Sequence, residues 1–303
     1  MAKSGVTIVC EYGALKLFQS LVNLMPYRLA LAFARFTGFL AFDVFGYRRR
    51  RTLERIRSVF PDKSAPEVRS IARRSLQNVI GNLVEMMRSG RLTAEWMDRH
   101  VVNGRECRDR LRSLVDEGHG VVIMVPHSGN WYMAAWAMAR YGLKLFAIAA
   151  RQRNPKVEAW MNRQYGEVEV LDRDDRSTLV RIVRKLKSGG VFAILPDLRV
   201  WDRDVDAEFL GGHANVSRAG AAFAVKCGSP IVIAQMYRDG DRHVANYIAT
   251  LRPDPAAADP RKEAERLTQE ALRLLDREIR KRPGDWFWYN KRWVLEPPEA
   301  DMV

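Results

Sequence analysis

The chain has five histidines, and only His127 stands where an apolar run ends and an apolar helical pattern begins. The stretch reads HGVVIMVP, then His127, Ser128, Gly129, Asn130 and WYMAAW. An imidazole titrates near neutrality, so it can take the proton of a hydroxyl nucleophile as a general base. In an open α/β sheet, the junction of strand end and helix start is where ligands are held. Asn130 and the backbone of Ser128 and Gly129 are candidate donors to a developing oxyanion, and a helix cap is the equally good bland reading of Asn130. Arg151, after the apolar run LKLFAIAA, is a candidate clamp for a phosphate or carbonyl, with Arg153 second; the competing reading is a surface ion pair. Asp197 follows the run VFAILP, again at a strand end. His100, His119, His213 and His243 lack such a setting and read as structural or surface residues.

These residues need a scaffold, and the pattern from Glu106 onward supplies one. Helical stretches (106–118, 130–142, 154–166, 176–190, 217–228) alternate with short apolar runs (119–126, 143–150, 167–171, 191–196, 230–237). A further strand covers 243–251, a charged helix covers 260–281, and 197–215 reads as a polar connection. Uniformly apolar strands between helices predict a largely parallel sheet covered on both faces. Residues 65–90 read as one long amphipathic helix, with Ser64 as its N-cap and Gly90 as its stop. The expected fold class is α/β: a single domain with a largely parallel central sheet flanked by helices, and an N-terminal helical membrane element. The expected boundaries are 1–60 for that element and 61–303 for the α/β domain. No dinucleotide glycine pattern, P-loop, paired-cysteine zinc spacing or Gly-x-Ser-x-Gly elbow is present.

The 303 residues carry a net charge of +14. Residues 1–60 hold ten basic and three acidic side chains, a net +7, in the most apolar part of the chain. Lys16, Arg28, Arg35 and Asp43 interrupt every run long enough to span a bilayer. A helical pair lying in the membrane interface fits better, with Arg48–Arg51 on anionic head groups; packing of 12–46 onto the core is the alternative. Cys10, Cys107 and Cys227 have no paired or metal-ligand spacing, which suggests reduced thiols. No cleavable signal peptide is apparent, so the chain is expected to stay inside the cell. The basic surplus alone would also fit a nucleic-acid-binding protein, but no binding motif accompanies it.

From about residue 13 to 296 the chain resembles the late acyltransferases of lipid A biosynthesis, within the wider lysophospholipid acyltransferase-like group. The resemblance rests on seven pieces in the right order. They are NLMPYRLALAFARFTGFLAF, RIRSVFPDKSAPEVRSIARRSLQNVIGNLVE (with Phe60-Pro61 and Glu85), PHSGNW, RQRNPKVEAWMNR, LKSGGVFAILPDLR, EFLGGHANVSRAGAAFAVKCGSPIVIAQMYR and WFWYNKRW. It implies a metal-independent enzyme without a cofactor, moving a fatty acyl chain from an acyl-carrier-protein or coenzyme A thioester to a hydroxyl of a membrane glycolipid. The expected partners are the membrane surface, the glycolipid acceptor and the acyl carrier protein or CoA thioester, with no nucleic acid. The expected setting is a monomer on the cytoplasmic face of the inner membrane. Trp286, Trp288 and Trp293 could line an acyl tunnel, sit at the interface or be plain core.

The resemblance also exposes a departure. The family has a Glu or Asp five residues after the histidine, and here that position is Tyr132. The candidate catalytic residues are therefore His127, Tyr132 and Asp197, with Arg151, Asn130 and Arg153 as candidate substrate-binding residues. Three explanations stand: Tyr132 orients His127 in a slower enzyme, Asp197 has taken over the acid's role, or the chain is a non-catalytic lipid-binding relative.

Overall fold

The computed structural model describes residues 4–291 and 293–296. Lys3 of the basic N-terminal segment and Arg292 of the aromatic stretch 286–293 lie outside the described residues. Four helices come first: α1 (Gly5–Leu24), α2 (Tyr27–Phe39), α3 (Arg49–Val59) and α4 (Ala65–Met87). Pro26, which has no N–H to continue a helix, separates α1 from α2. A single π-helical turn, Leu40–Val44, extends α2. Helix α4 starts on a capping box in which the Ser64 hydroxyl and the Glu67 carboxylate satisfy each other's backbone amides. It stops at Met87 rather than at Gly90, which sits in a short 3-10 turn.

The order then becomes α5 (Ala94–His100), β1 (Val101–Val102), α6 (Gly104–Asp116), β2 (Val121–Met124), α7 (Trp131–Arg140), β3 (Leu145–Ala149), α8 (Pro155–Tyr165) and β4 (Glu169–Asp172). It continues with α9 (Thr178–Lys187), β5 (Val191–Ile194), β6 (Val205–Phe209), β7 (Gly212–Val216), α10 (Ala219–Cys227), β8 (Ile231–Asp239), β9 (Arg242–Leu251) and α11 (Pro260–Lys281). Seven strands form one sheet in the order β1-β9-β8-β2-β5-β3-β4, parallel except between β8 and β9. The mostly parallel, doubly covered α/β sheet expected from the apolar runs is present. The polar connection is not: 197–215 contains the two-stranded sheet β6–β7. Its first strand alternates buried and exposed residues, so half of it is polar and no apolar run betrays it.

Along β2 the side chains of Val121 and Ile123 enter one core, with α6, α7 and α8, while Val122 and Met124 enter another, with α9, α10 and α11. This is the two-residue alternation of a strand buried on both faces. A third core joins α3, α4, the β6–β7 hairpin and Trp286 and Trp288. The N-terminal helices contribute to these cores through Val22, Ala30, Ala34, Phe42 and Ile56. Their outer faces leave Val6, Leu17, Leu24, Phe36, Val44 and Phe45 more than half exposed.

Among the described residues, no single helix is long and apolar enough to cross a membrane. A bent pair, Tyr27–Val44 and Arg49–Val59, passes by length and composition only. One of the charges that interrupt the apolar runs, Asp43, and two of the four clustered arginines have partners inside the protein. The Asp43 side chain lies between Arg69 and Arg73, and the Arg73 hydrogen bond, with help from Arg69, holds its carboxyl below the usual range. Arg48 and Arg49 each donate to a backbone carbonyl, of Tyr289 and Asp43 respectively. Only Arg50 and Arg51 of the four-arginine cluster are left pointing outward.

Candidate active site

Strands β2 and β5 lie side by side in a constant register, Val121 opposite Val191 through Met124 opposite Ile194. His127 and Asp197 each come three residues after the last of those pairs, so the register itself sets them level. From β2 the chain turns to α7 on one face, and from β5 it passes through the hairpin to α10 on the other. Adjacent strands whose connections diverge in this way leave a crevice at their carboxyl ends, the usual ligand site of open α/β sheets.

Within that crevice His127 Nδ1 lies 2.8 Å from Asp197 Oδ1. The His127 backbone N–H donates to Asp197 Oδ2 at 2.7 Å, and the indole N–H of Trp286 donates to the same oxygen at 2.7 Å. Asp197 is fully buried, whereas the His127 side chain keeps 18% of its exposure. A carboxylate with three donors around it assigns the imidazole proton to Nδ1, which leaves Nε2 as the free basic nitrogen. Trp131 stands edge-on to the ring, 5.2 Å between centroids.

The turn that carries the histidine is tightly determined. Gly129 has φ +62°, and a Cβ there would collide with the Met236 carbonyl oxygen. No other residue fits both the left-handed backbone and the close approach. The Gly129 N–H donates to Asp285 O, the Asn130 N–H to Met236 O, and the Phe287 N–H to His127 O.

His127 opens on an apolar cavity of about 260 Å³ between the sheet and helices α6 and α7. Leu111, Ile123, Trp136, Leu145, Ala193 and Tyr247 are among its walls. Cys107 lines it too, and burial pushes its thiol up. The lining is largely hydrocarbon and aromatic, which suits an alkyl chain and disfavours a sugar or a nucleotide.

The remaining candidates are placed differently. Tyr132 lines the cavity and packs among Trp131, Trp136 and Tyr165. Burial pushes its phenol up, so it carries no charge, and Asp197 occupies the ring nitrogen that Tyr132 was expected to hold. The orienting role read for Tyr132 is corrected accordingly. Asn130 is also corrected. Its Oδ1 caps α7 by accepting from Met133 N at 2.9 Å, its Nδ2 donates to Glu85 at 2.5 Å, and it is fully buried, so neither end can reach a substrate. The Gly129 amide, committed to Asp285, is equally unable to serve an oxyanion.

Arg151 pairs with Asp172, 2.6 Å apart, and its side chain is 71% exposed. It lines a separate polar cleft that shares Ala149, Tyr165 and Val170 with the wall of the apolar cavity. The surface ion pair is thus the reading that the structure favours, and Arg153 is simply exposed. Trp286 and Trp288 are buried in the third core and away from the cavity; Trp286 matters as a donor to Asp197, a role that spacing did not suggest. The sequence reading also missed a buried cluster around Glu85. Arg238 donates to its carboxylate at 2.8 and 2.6 Å, Tyr27 at 2.5 Å, and His243 Nε2 lies at 2.9 Å.

The histidine–aspartate pair thus stands at the carboxyl edge of a mixed α/β sheet, beside a cavity shaped for hydrocarbon. The chain belongs to the bacterial lipid A biosynthesis acyltransferase family, which matches residues 12–294. Among curated proteins it is similar to a phosphatidylinositol mannoside acyltransferase of Mycolicibacterium smegmatis, 23% identical over 62% of this chain. Its counterpart from Mycobacterium tuberculosis is 24% identical over 69% of this chain. These matches span 61% and 65% of the relatives' own lengths. Among solved structures, the 1-acyl-sn-glycerophosphate acyltransferase PlsC of Thermotoga maritima aligns with 84% of this chain and 97% of its own, at 15% identity and a TM-score of 0.40.

Proposed function

We propose that the protein transfers a fatty acyl group from an acyl thioester, carried by acyl carrier protein or coenzyme A, to a hydroxyl of a membrane glycolipid. The observation that carries this reading is the His127–Asp197 pair at the mouth of the apolar cavity. The acyl chain lies in the cavity, which puts the thioester carbonyl beside His127. Nε2 takes the proton of the acceptor hydroxyl as its oxygen attacks that carbonyl. The tetrahedral intermediate collapses, the carbon–sulfur bond breaks, and the leaving thiolate takes the proton back from the imidazolium. Asp197 balances the positive charge that the ring carries between those two transfers, and it fixes the tautomer. The non-catalytic alternative draws its support from the acid missing at Tyr132, whereas the carboxylate on His127 from the neighbouring strand supports the catalytic reading.

The acceptor and the setting are part of the same proposal. The family is described by lipid A biosynthesis and the curated relatives by phosphatidylinositol mannosides, so a glycolipid acceptor is the common ground. The exposed apolar side chains of α1 and α2, together with the exposed Arg50 and Arg51 of α3, suit attachment to an anionic lipid surface, which we place at the cytoplasmic face of the inner membrane. The test is transfer of labelled acyl groups from acyl thioesters to extracted glycolipid by the purified protein and by His127→Ala. Loss of a base is expected to cost roughly 10²–10⁴-fold in rate. Undiminished turnover by the folded variant would remove His127 from the reaction.

A further inference from the structure

Helix α4 presents Ser75, Asn78, Asn82 and Glu85 at intervals of three, four and three, the spacing that lines up one face of a helix. All four are buried. Polar groups on a buried helix stripe cost free energy unless they are paired, so the partners matter. Ser75 Oγ donates to Trp286 O at 2.5 Å. Asn78 Nδ2 reaches both Gly129 O and Asp285 O at 3.1 Å. Asn82 Nδ2 donates to Gly129 O at 2.7 Å, and Glu85 accepts from Asn130 Nδ2 at 2.5 Å. One stripe therefore holds the turn that follows His127 and also the segment whose Trp286 indole holds Asp197.

Glu85 is the end of the stripe and the most costly member, a fully buried carboxylate. Burial pushes its pKa up, but the adjacent Arg238, by charge and by two hydrogen bonds, outweighs burial and holds it well below the usual range; His243 adds to this. His243 itself is neutral: burial drives its pKa down, and its Nδ1 has no hydrogen-bond partner among the described residues, as a bare imidazole nitrogen allows. An apolar replacement of a buried ion pair is often no less stable, so fold stability alone does not explain this one. Its anchoring of Asn130, the cap of α7, supplies a reason.

We propose that Asn82 and Glu85 of helix α4 are positioning residues for the reaction, fixing the 127–130 turn so that His127 keeps Nδ1 on Asp197 and presents Nε2 to the cavity. Neither residue lines the cavity, so neither touches substrate. The inference rests on the acyltransferase reading of the same site. Displacing a catalytic group by about an ångström from a distance can cost roughly 10²-fold in rate, with little effect on substrate binding.

The experiment uses the full chain with palmitoyl-CoA as donor and compares wild type, Asn82→Ala, Glu85→Gln, Asp197→Asn and the double variants. Expected is a fall in kcat of roughly 10- to 100-fold for each single stripe variant with KM within about threefold, and little further loss when either is added to Asp197→Asn. Because Glu85→Gln leaves Arg238 unbalanced and can fail to fold, Asn82→Ala carries the test alone in that event; Asn78 still holds Gly129 O in that variant. A second readout is independent of turnover: the Nδ1–H proton resonance of His127, in ¹⁵N-histidine-labelled protein, should shift or broaden in Asn82→Ala. Unchanged kcat and resonance, or a loss that adds fully to that of Asp197→Asn, would overturn the inference while leaving the acyltransferase reading intact. An inactive wild type, or an active His127→Ala, would instead strike the reading itself, and the resonance would still judge the positioning.

Discussion

Two buried carboxylates grip the same four-residue turn from opposite ends. Asp197 holds His127 at its start, and Glu85 holds Asn130 at its close. Their surroundings differ in kind. Glu85 is surrounded by Tyr27, Asn130, Arg238 and His243, and its cationic partner is a guanidinium that never gives up its proton. Asp197 takes two backbone-fixed or rigid donors plus an imidazole whose far nitrogen faces a cavity. A carboxylate paired with a permanent cation can only hold structure. A carboxylate paired with a ring that can gain and lose a proton at an open site can take part in chemistry. Burial is the same in both, so burial does not distinguish them; the partner does.

The sharpest way to break this comparison is to neutralise Asp197 and the neighbour that stands at the family's usual acid position. Asp197→Asn should lower acyl transfer by roughly 10²–10⁴-fold, because the wrong tautomer is favoured and the imidazolium loses its counter-charge. Tyr132→Phe should stay within about threefold, since only a phenol oxygen is removed from an aromatic cluster that otherwise packs unchanged. Single-turnover rates of the two variants on the same thioester decide it. Equal losses would mean that the acid's role is not Asp197's alone.

A smaller effect sharpens the other half. His243 is buried neutral with a lowered pKa, so between the ordinary histidine value of about 6.5 and its folded value the unfolded chain binds a proton that the native chain refuses. Stability should therefore fall as pH drops below about 6.5, with a contribution of at most about 1.4 kcal/mol per pH unit. Glu85 adds its own loss further down: its folded pKa lies below the unfolded one, so its contribution is present above about 4.3 and fades as pH falls toward the folded value. Urea midpoints from pH 7.5 to 5.0 test the His243 part. His243→Gln, which keeps a donor for Glu85 but cannot titrate, should flatten the upper part of the slope.

How much of this was readable in advance follows from where the information lies. The central strands were legible because burial on both faces makes them apolar runs, and strand-end position alone singled out His127, Arg151 and Asp197. The β6–β7 hairpin was not, because its half-exposed alternation looks like a polar loop. The choice between Tyr132 and Asp197 stayed open, because it turns on a pairing across 70 residues that only the β2–β5 register brings together. The contacts of Trp286 with Asp197 and of Glu85 with Asn130 were hidden for the same reason, as those partners lie 89 and 45 positions away. A signal did exist for the stripe. Ser75, Asn78, Asn82 and Glu85 recur on one face of a helix whose other buried positions are apolar, and such a polar stripe asks for partners.

Arg151 supplies the smallest effect, and one that separates chain position from chemistry. It follows β3 by two residues as His127 and Asp197 follow β2 and β5 by three, yet its side chain is 71% exposed and its partner Asp172 lies on the edge strand β4. An exposed pair of this kind contributes about 0.2–1 kcal/mol, reduced further by salt. Arg151→Ala should therefore shift the urea midpoint slightly at low ionic strength and hardly at all in high salt. Transfer to a glycolipid acceptor should stay within about twofold if the arginine serves only Asp172. A rise in the KM for the acceptor of about tenfold, with kcat unchanged, would instead show that the guanidinium leaves Asp172 to hold an anionic group of the substrate in the polar cleft beside the cavity, since that split marks lost binding rather than lost chemistry. The salt dependence of that KM separates the two cases again: a charge contact with a lipid phosphate weakens as ionic strength rises, whereas the KM of an enzyme that makes no such contact is indifferent to losing it.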